Sequence, residues 1–151
     1  MKTKIIYLFI LTGLAAAAFY SGSTRNQTGS VPWTESQLMP PAELAAMLKN
    51  PNAKLPVIFC IGPANYIKGA IDIGPARDKA NIEKLRKQVS AFPKDTSIVI
   101  YCGCCPYNPC PNVRPAFNLL SEMKFTNHKL LDLPHNFKTD WIDKGYPVKE
   151  N

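Results

Sequence analysis

Two short, nearly uninterrupted apolar runs, residues 56–60 (PVIFC) and 97–101 (SIVIY), set the tightest limit on what this chain can fold into. Each is too short for a typical helix and shows no polar alternation, so each reads as a strand covered on both faces. Such strands need helices above and below them, and the intervening segments supply helical patterns. Residues 42–50 place Leu44, Ala45 and Leu48 at helical spacing, with Pro41 suited to the first turn. In residues 77–90, Ile82, Leu85 and Val89 form one apolar stripe among charged neighbours. Residues 113–124 carry Phe117, Leu119, Leu120 and Met123 on a third helix, and Asn112 is its expected N-cap. Residues 70–73 and 129–133 read as further short strands. Trp141 and Ile142 fall in a last short helix that Gly145 ends. Strands alternating with helices imply βαβ units, hence an α/β domain with a mostly parallel sheet and helices on both faces.

The beginning of the chain has a different composition. Lys2 and Lys4 precede an uncharged apolar stretch over residues 5–20, which closes on the small residues Ala15, Ala16, Ala17 and Ala18. This is the layout of a secretory signal peptide. As a helix the stretch would reach about 24 Å at 1.5 Å per residue, short of a hydrocarbon core of about 30 Å. Residues 1–20 are therefore expected to be a signal peptide or N-terminal anchor, residues 21–32 a flexible linker rich in Ser, Thr, Gly and Asn, and residues 33–151 one domain. The expected location is periplasmic or extracellular, with membrane contact only if the first segment is uncleaved. Removing Lys2 and Lys4 takes the formal net charge from +7 to +5. The remaining basic residues are scattered and do not interleave with aromatics, which argues against a nucleic-acid partner. A monomer is expected.

Five cysteines in an exported chain would ordinarily suggest a disulfide framework. Their placement argues against one. Cys60 stands alone, whereas Cys102, Cys104, Cys105 and Cys110 crowd into one segment and cannot staple distant parts of the fold. The cluster reads as chemical. Cys102 directly follows the strand at 97–101, and in a parallel sheet ligands bind beyond the carboxyl ends of the strands. Backbone N–H groups of the loop and of the next helix can surround an anion there, which makes Cys102 a candidate low-pKa thiolate and nucleophile.

From about Trp33 onward the sequence resembles the rhodanese family. The resemblance is carried by Leu38-Met39-Pro40-Pro41-Ala42-Glu43-Leu44, similar to the family's opening strand and helix, and by Ile67-Lys68-Gly69-Ala70-Ile71, similar to a shortened Gly-His-Ile-Pro-Gly-Ala segment. Ile98-Val99-Ile100-Tyr101-Cys102 looks like the strand leading to the catalytic cysteine, and Trp141-Ile142-Asp143-Lys144-Gly145-Tyr146-Pro147-Val148 like the closing Trp-x-x-x-Gly-Tyr-Pro-Val. The resemblance implies a three-layer domain of about five strands and an enzyme, a sulfurtransferase without a cofactor. Cys102 would take sulfane sulfur from thiosulfate or a persulfide donor and pass it to a thiol or another nucleophilic acceptor. Gly103, Cys104, Cys105, Asn112, Val113 and Arg114 would bind the anionic donor, the amides by hydrogen bonds and Arg114 by charge. Two departures stand out: the loop before the first arginine is long and contains Pro106, Pro109 and Pro111, and Cys60-Ile61-Gly62 occupies the place of the family's frequent Asp-Val-Arg. A thiol in that place suggests that Cys60, or one of Cys104, Cys105 and Cys110, resolves the oxidised or persulfidated Cys102 as a disulfide.

Two other readings use the same cysteines. Cys102 and Cys105 form a Cys-x-x-Cys, the motif of thiol-disulfide oxidoreductases, although the three prolines keep the chain irregular where that class starts a helix. Four thiols could also hold Zn²⁺ or Cu⁺ in a non-catalytic module, with His128 and His135 as further donors. Adjacent Cys104 and Cys105 are expected to point apart, which weighs against a closed four-thiolate site, so no metal ligand is assigned. A cysteine-dependent phosphatase needs an arginine separated from its nucleophile by five residues, and neither Cys102 nor Cys110 has one.

Overall fold

The computed structural model describes residues 31–150. The expected signal or anchor at 1–20, all but the last two residues of the expected linker, and Asn151 lie outside the described residues. A short 3₁₀ turn, Glu35–Gln37, leads into β1 (Leu38–Met39) and α1 (Pro41–Lys49). There follow β2 (Val57–Cys60), β3 (Ile71–Asp72), α2 (Lys79–Ser90), β4 (Ile98–Tyr101), α3 (Val113–Glu122) and β5 (His128–Leu131), and a π-helical turn, Lys138–Ile142. The five strands form one sheet in the order β1-β5-β4-β2-β3, and every pairing is parallel. The expected α/β architecture is therefore present, and the expected elements are found within a few residues of their bounds. The last helix differs most, being a single π-helical turn closed at Gly145, whose φ of 66° suits a residue without a side chain.

The apolar runs become the sheet's centre because each residue of β4 is buried, on one face or the other. Period-2 alternation sorts their side chains into two cores. Phe59, Ile61, Ile98, Ile100 and Cys102 join α2 and α3 through Leu85, Val89, Phe117 and Leu120. Ile58, Cys60, Val99 and Tyr101 join α1 and the π-helical turn through Leu44, Phe137 and Trp141. The register pairs Phe59 with Ile100 and Cys60 with Tyr101, so the ends of β2 and β4 lie side by side.

Tyr101 fixes the loop after β2. Its buried hydroxyl accepts the Tyr66 and Ile67 N–H groups at 3.1 and 3.2 Å and donates to Asn65 Oδ1 at 2.9 Å. Residues near the C-terminus fasten to the same loop, where Ile67 bridges Val148 and Lys149 N–H donates to the Tyr66 carbonyl, and Trp141 Nε1 holds their own segment by donating to the Pro147 carbonyl. No helix among the described residues is long and apolar enough to cross a membrane.

A candidate four-thiol site at the end of the central strand

Cys102 is the first residue past β4 and is 3% exposed. Its sulfur lies beside the backbone that leaves β2. A Cβ built on Gly62 would stand 2.7 Å from Cys102 Sγ and 3.3 Å from its Cα, so only glycine lets the two segments approach this closely. Gly103 is tight in the same way, since a Cβ there would meet the Ala64 carbonyl oxygen at 3.1 Å.

The chain bends at Gly103, Cys104 and Cys105, and this turns neighbouring side chains to the same side. Cys104 Sγ is 3.2 Å from Cys102 Sγ and 3.2 Å from Cys105 Sγ, so the two adjacent cysteines do not point apart as expected. Cys110, brought back by a turn in which its N–H donates to the Tyr107 carbonyl, completes the group. The sulfurs of Cys102, Cys104, Cys105 and Cys110 all lie within 4.8 Å of one another. Cys102 and Cys110 are buried, Cys105 is half-buried and Cys104 is exposed.

This crowding gives one sulfur the charge. The Cys102 thiol is pulled down to about 5, first by the hydrogen bond from the Cys110 thiol and then, against the opposing effect of burial, by the Cys104 N–H, the Asn112 amide and the Cys104 thiol. Asn112 Nδ2 donates to Cys102 Sγ at 3.4 Å. Cys104 is pushed up to about 12 by desolvation and by the Cys102 and Cys105 thiols. Cys110 is also pushed up, chiefly because it donates to Cys102. Among Cys102, Cys104 and Cys110 the first proton leaves Cys102.

The anion cradle is smaller than the sequence suggested. Val113 N–H donates to the Cys110 carbonyl at 3.3 Å and is spent within the loop. Pro106, Pro109 and Pro111 have no N–H to offer. The donors aimed at the sulfur are the Cys110 thiol, the Cys104 N–H, the Asn112 side chain and the Cys104 thiol. Asn112 does precede α3, but it makes no side-chain cap; its Oδ1 accepts the Arg77 N–H at 3.1 Å instead. Arg114 sits with its guanidinium 5.5 Å from the centre of the Trp33 ring. Trp33 in turn packs edge-on against Tyr107 of the loop and Phe117 of α3.

Cys60 is not part of the group. Strand parity puts it in the opposite core from Cys102, where its thiol donates to the Ala64 carbonyl at 3.2 Å and burial pushes its pKa up. His128 is buried between the Ser121 hydroxyl and the Phe125 carbonyl, and His135 pairs with Asp140 at 2.8 Å. Neither histidine joins the thiols. The sequence reading missed Gly62 as a contact and Tyr101 as the clamp of the loop after β2. A glycine placed just beyond a buried strand was the available signal for the first. Against known proteins, the chain matches no family model and no curated sequence.

Proposed function

We propose that this chain is an exported, rhodanese-like sulfurtransferase that carries sulfane sulfur as a persulfide on Cys102. One observation carries the proposal: four hydrogen-bond donors converge on a cysteine at the carboxyl end of the central strand and hold it as a thiolate near neutral pH. The parallel five-stranded sheet and the residue motifs of the resemblance support the same reading. Export is proposed from residues 1–20.

With thiosulfate as donor, the Cys102 thiolate attacks the outer sulfur, a new S–S bond forms, and the old one breaks to release sulfite. The enzyme is left as a persulfide anion, and the total charge is unchanged. An acceptor thiolate then takes the terminal sulfur and restores the Cys102 thiolate. Cys104 N–H and Asn112 stabilise charge on the bound sulfur. Cys104 is exposed and its sulfur lies 3.2 Å from Cys102 Sγ, so a donor that reaches Cys102 from that side displaces the Cys104 side chain. A loop thiol can also discharge the persulfide, forming a disulfide with Cys102 and releasing hydrogen sulfide; the 3.2 Å separation of Cys104 and Cys102 favours this second, redox use of the site.

Intact mass after thiosulfate or polysulfide treatment tests the proposal. The wild type is expected to gain one sulfur atom and Cys102→Ser none. Equal labelling of the two proteins rejects Cys102 as carrier.

A further inference from the structure

From the convergence of Cys102, Cys104, Cys105 and Cys110 we propose that the loop is a four-thiolate site for a single thiophilic d¹⁰ cation, Zn²⁺ being the one that uses all four sulfurs. Zn²⁺ bound by thiolates at about 2.3 Å in a tetrahedron separates its sulfurs by about 3.8 Å. The observed group brackets that edge: neighbouring sulfurs are 3.2 Å apart, and no pair exceeds 4.8 Å. Closing the site therefore requires only side-chain adjustments of a few tenths of an ångström to about 1 Å, with no rearrangement of the strands or of α3.

The surroundings also suit a bound ion. Cys102 and Cys110 form a floor buried in the α2/α3 core, while Cys104 and Cys105 form a rim reachable from solvent. Asn112 Nδ2 donates to one ligand sulfur while Oδ1 is anchored on the Arg77 N–H, an outer contact that orients the ligand. All four donors are soft thiols, a set that selects Zn²⁺ or Cu⁺ over Mg²⁺ or Ca²⁺. Cu⁺ is satisfied by fewer sulfurs and would gain less from the fourth.

The site stands whether or not Cys102 carries sulfur, because it needs only the arrangement of the thiols. It does compete with transfer chemistry, since the ion would take up the Cys102 sulfur. Zn²⁺ loading is thus expected to suppress thiosulfate labelling of Cys102, and removal of the ion to restore it.

The test uses the full chain, reduced and handled without oxygen, loaded separately with Zn²⁺ and with Cu⁺, desalted and analysed for metal. One Zn²⁺ per chain is expected, lost in the Cys104→Ser/Cys105→Ser double variant and retained in Cys60→Ala. Because Cys104 and Cys105 lie at the rim, the double variant is expected to keep its circular dichroism spectrum. Co²⁺ substitution in the wild type gives an independent reading: intense thiolate charge-transfer bands with tetrahedral d–d bands are expected. Failure to retain Zn²⁺, undiminished Zn²⁺ in the double variant, uptake of Cu⁺ but not Zn²⁺, or a Co²⁺ spectrum without thiolate bands would each overturn the assignment.

Discussion

Asn112 donates its amide to the Cys102 sulfur at 3.4 Å while its other side-chain atom holds the Arg77 N–H at 3.1 Å, so one buried residue ties the thiolate to the segment entering α2. Asn112→Asp keeps the acceptor for Arg77 but replaces the donor with a carboxylate. A hydrogen bond to a charged group contributes about 1.5–3 kcal/mol, equivalent to about one to two pH units. The midpoint of the Cys102 thiolate, about 5 in the wild type, is expected to rise by at least that much, because like charge adds to the lost bond. Ultraviolet thiolate absorbance of the reduced, metal-free protein, with Cys102→Ser as the blank, measures it. An unmoved midpoint would show that Asn112 does not support the charge.

Gly62 and Cys102 pack without room for a methyl group. Gly62→Ala places a carbon 2.7 Å from the sulfur, and the obstructing atoms include the Cys102 Cα and the Gly103 N, which are backbone. Overpacking of this kind costs about 1–3 kcal/mol. Denaturant titration is expected to show a loss in that range, together with loss of sulfur labelling at Cys102. Wild-type stability in this variant would mean that β2 and β4 end further apart than described.

The contrast between these residues explains what the sequence disclosed. β2 and β4 were legible because unbroken apolar runs need cover on both faces, and Cys102 was legible because the thiols begin where the second run stops. The closeness of Gly62 to Cys102 depends on the pairing of Cys60 with Tyr101, a contact between segments about forty residues apart that no local pattern encodes. Asn112 had the right position for a cap, yet a buried thiolate and the Arg77 N–H outcompeted the helix end for its side chain. Val113 lost its amide to a turn whose shape the prolines dictate, and propensity says little about such turns.

Cys60 tests strand parity. It lies in the opposite core from Cys102 and donates to the Ala64 carbonyl, so it cannot meet the loop thiols without turning β2 over. Cys60→Ala is expected to cost about 1 kcal/mol, as a small core truncation does, and to leave both thiosulfate labelling and the disulfide pattern of the oxidised protein unchanged. Peptide mapping under non-reducing conditions reads the second point. A Cys60–Cys102 disulfide in the wild type would contradict the described register.

His128 gives the fold an acid limit separate from the thiols. Its ring is buried, with Nδ1 on the Phe125 carbonyl and Nε2 on the Ser121 hydroxyl, and burial lowers its pKa below the usual 6.5. Above pH 6.5 neither the folded nor the unfolded chain protonates it, and it adds no pH dependence. As the pH falls through 6.5 the unfolded chain takes up a proton that the folded one resists, so stability falls with pH until the folded histidine also titrates. His128→Leu removes that proton. The urea midpoint of the wild type is therefore expected to drop between about pH 6.5 and 5 more steeply than that of the variant. Parallel curves would mean that the folded protein protonates His128 as readily as the unfolded chain.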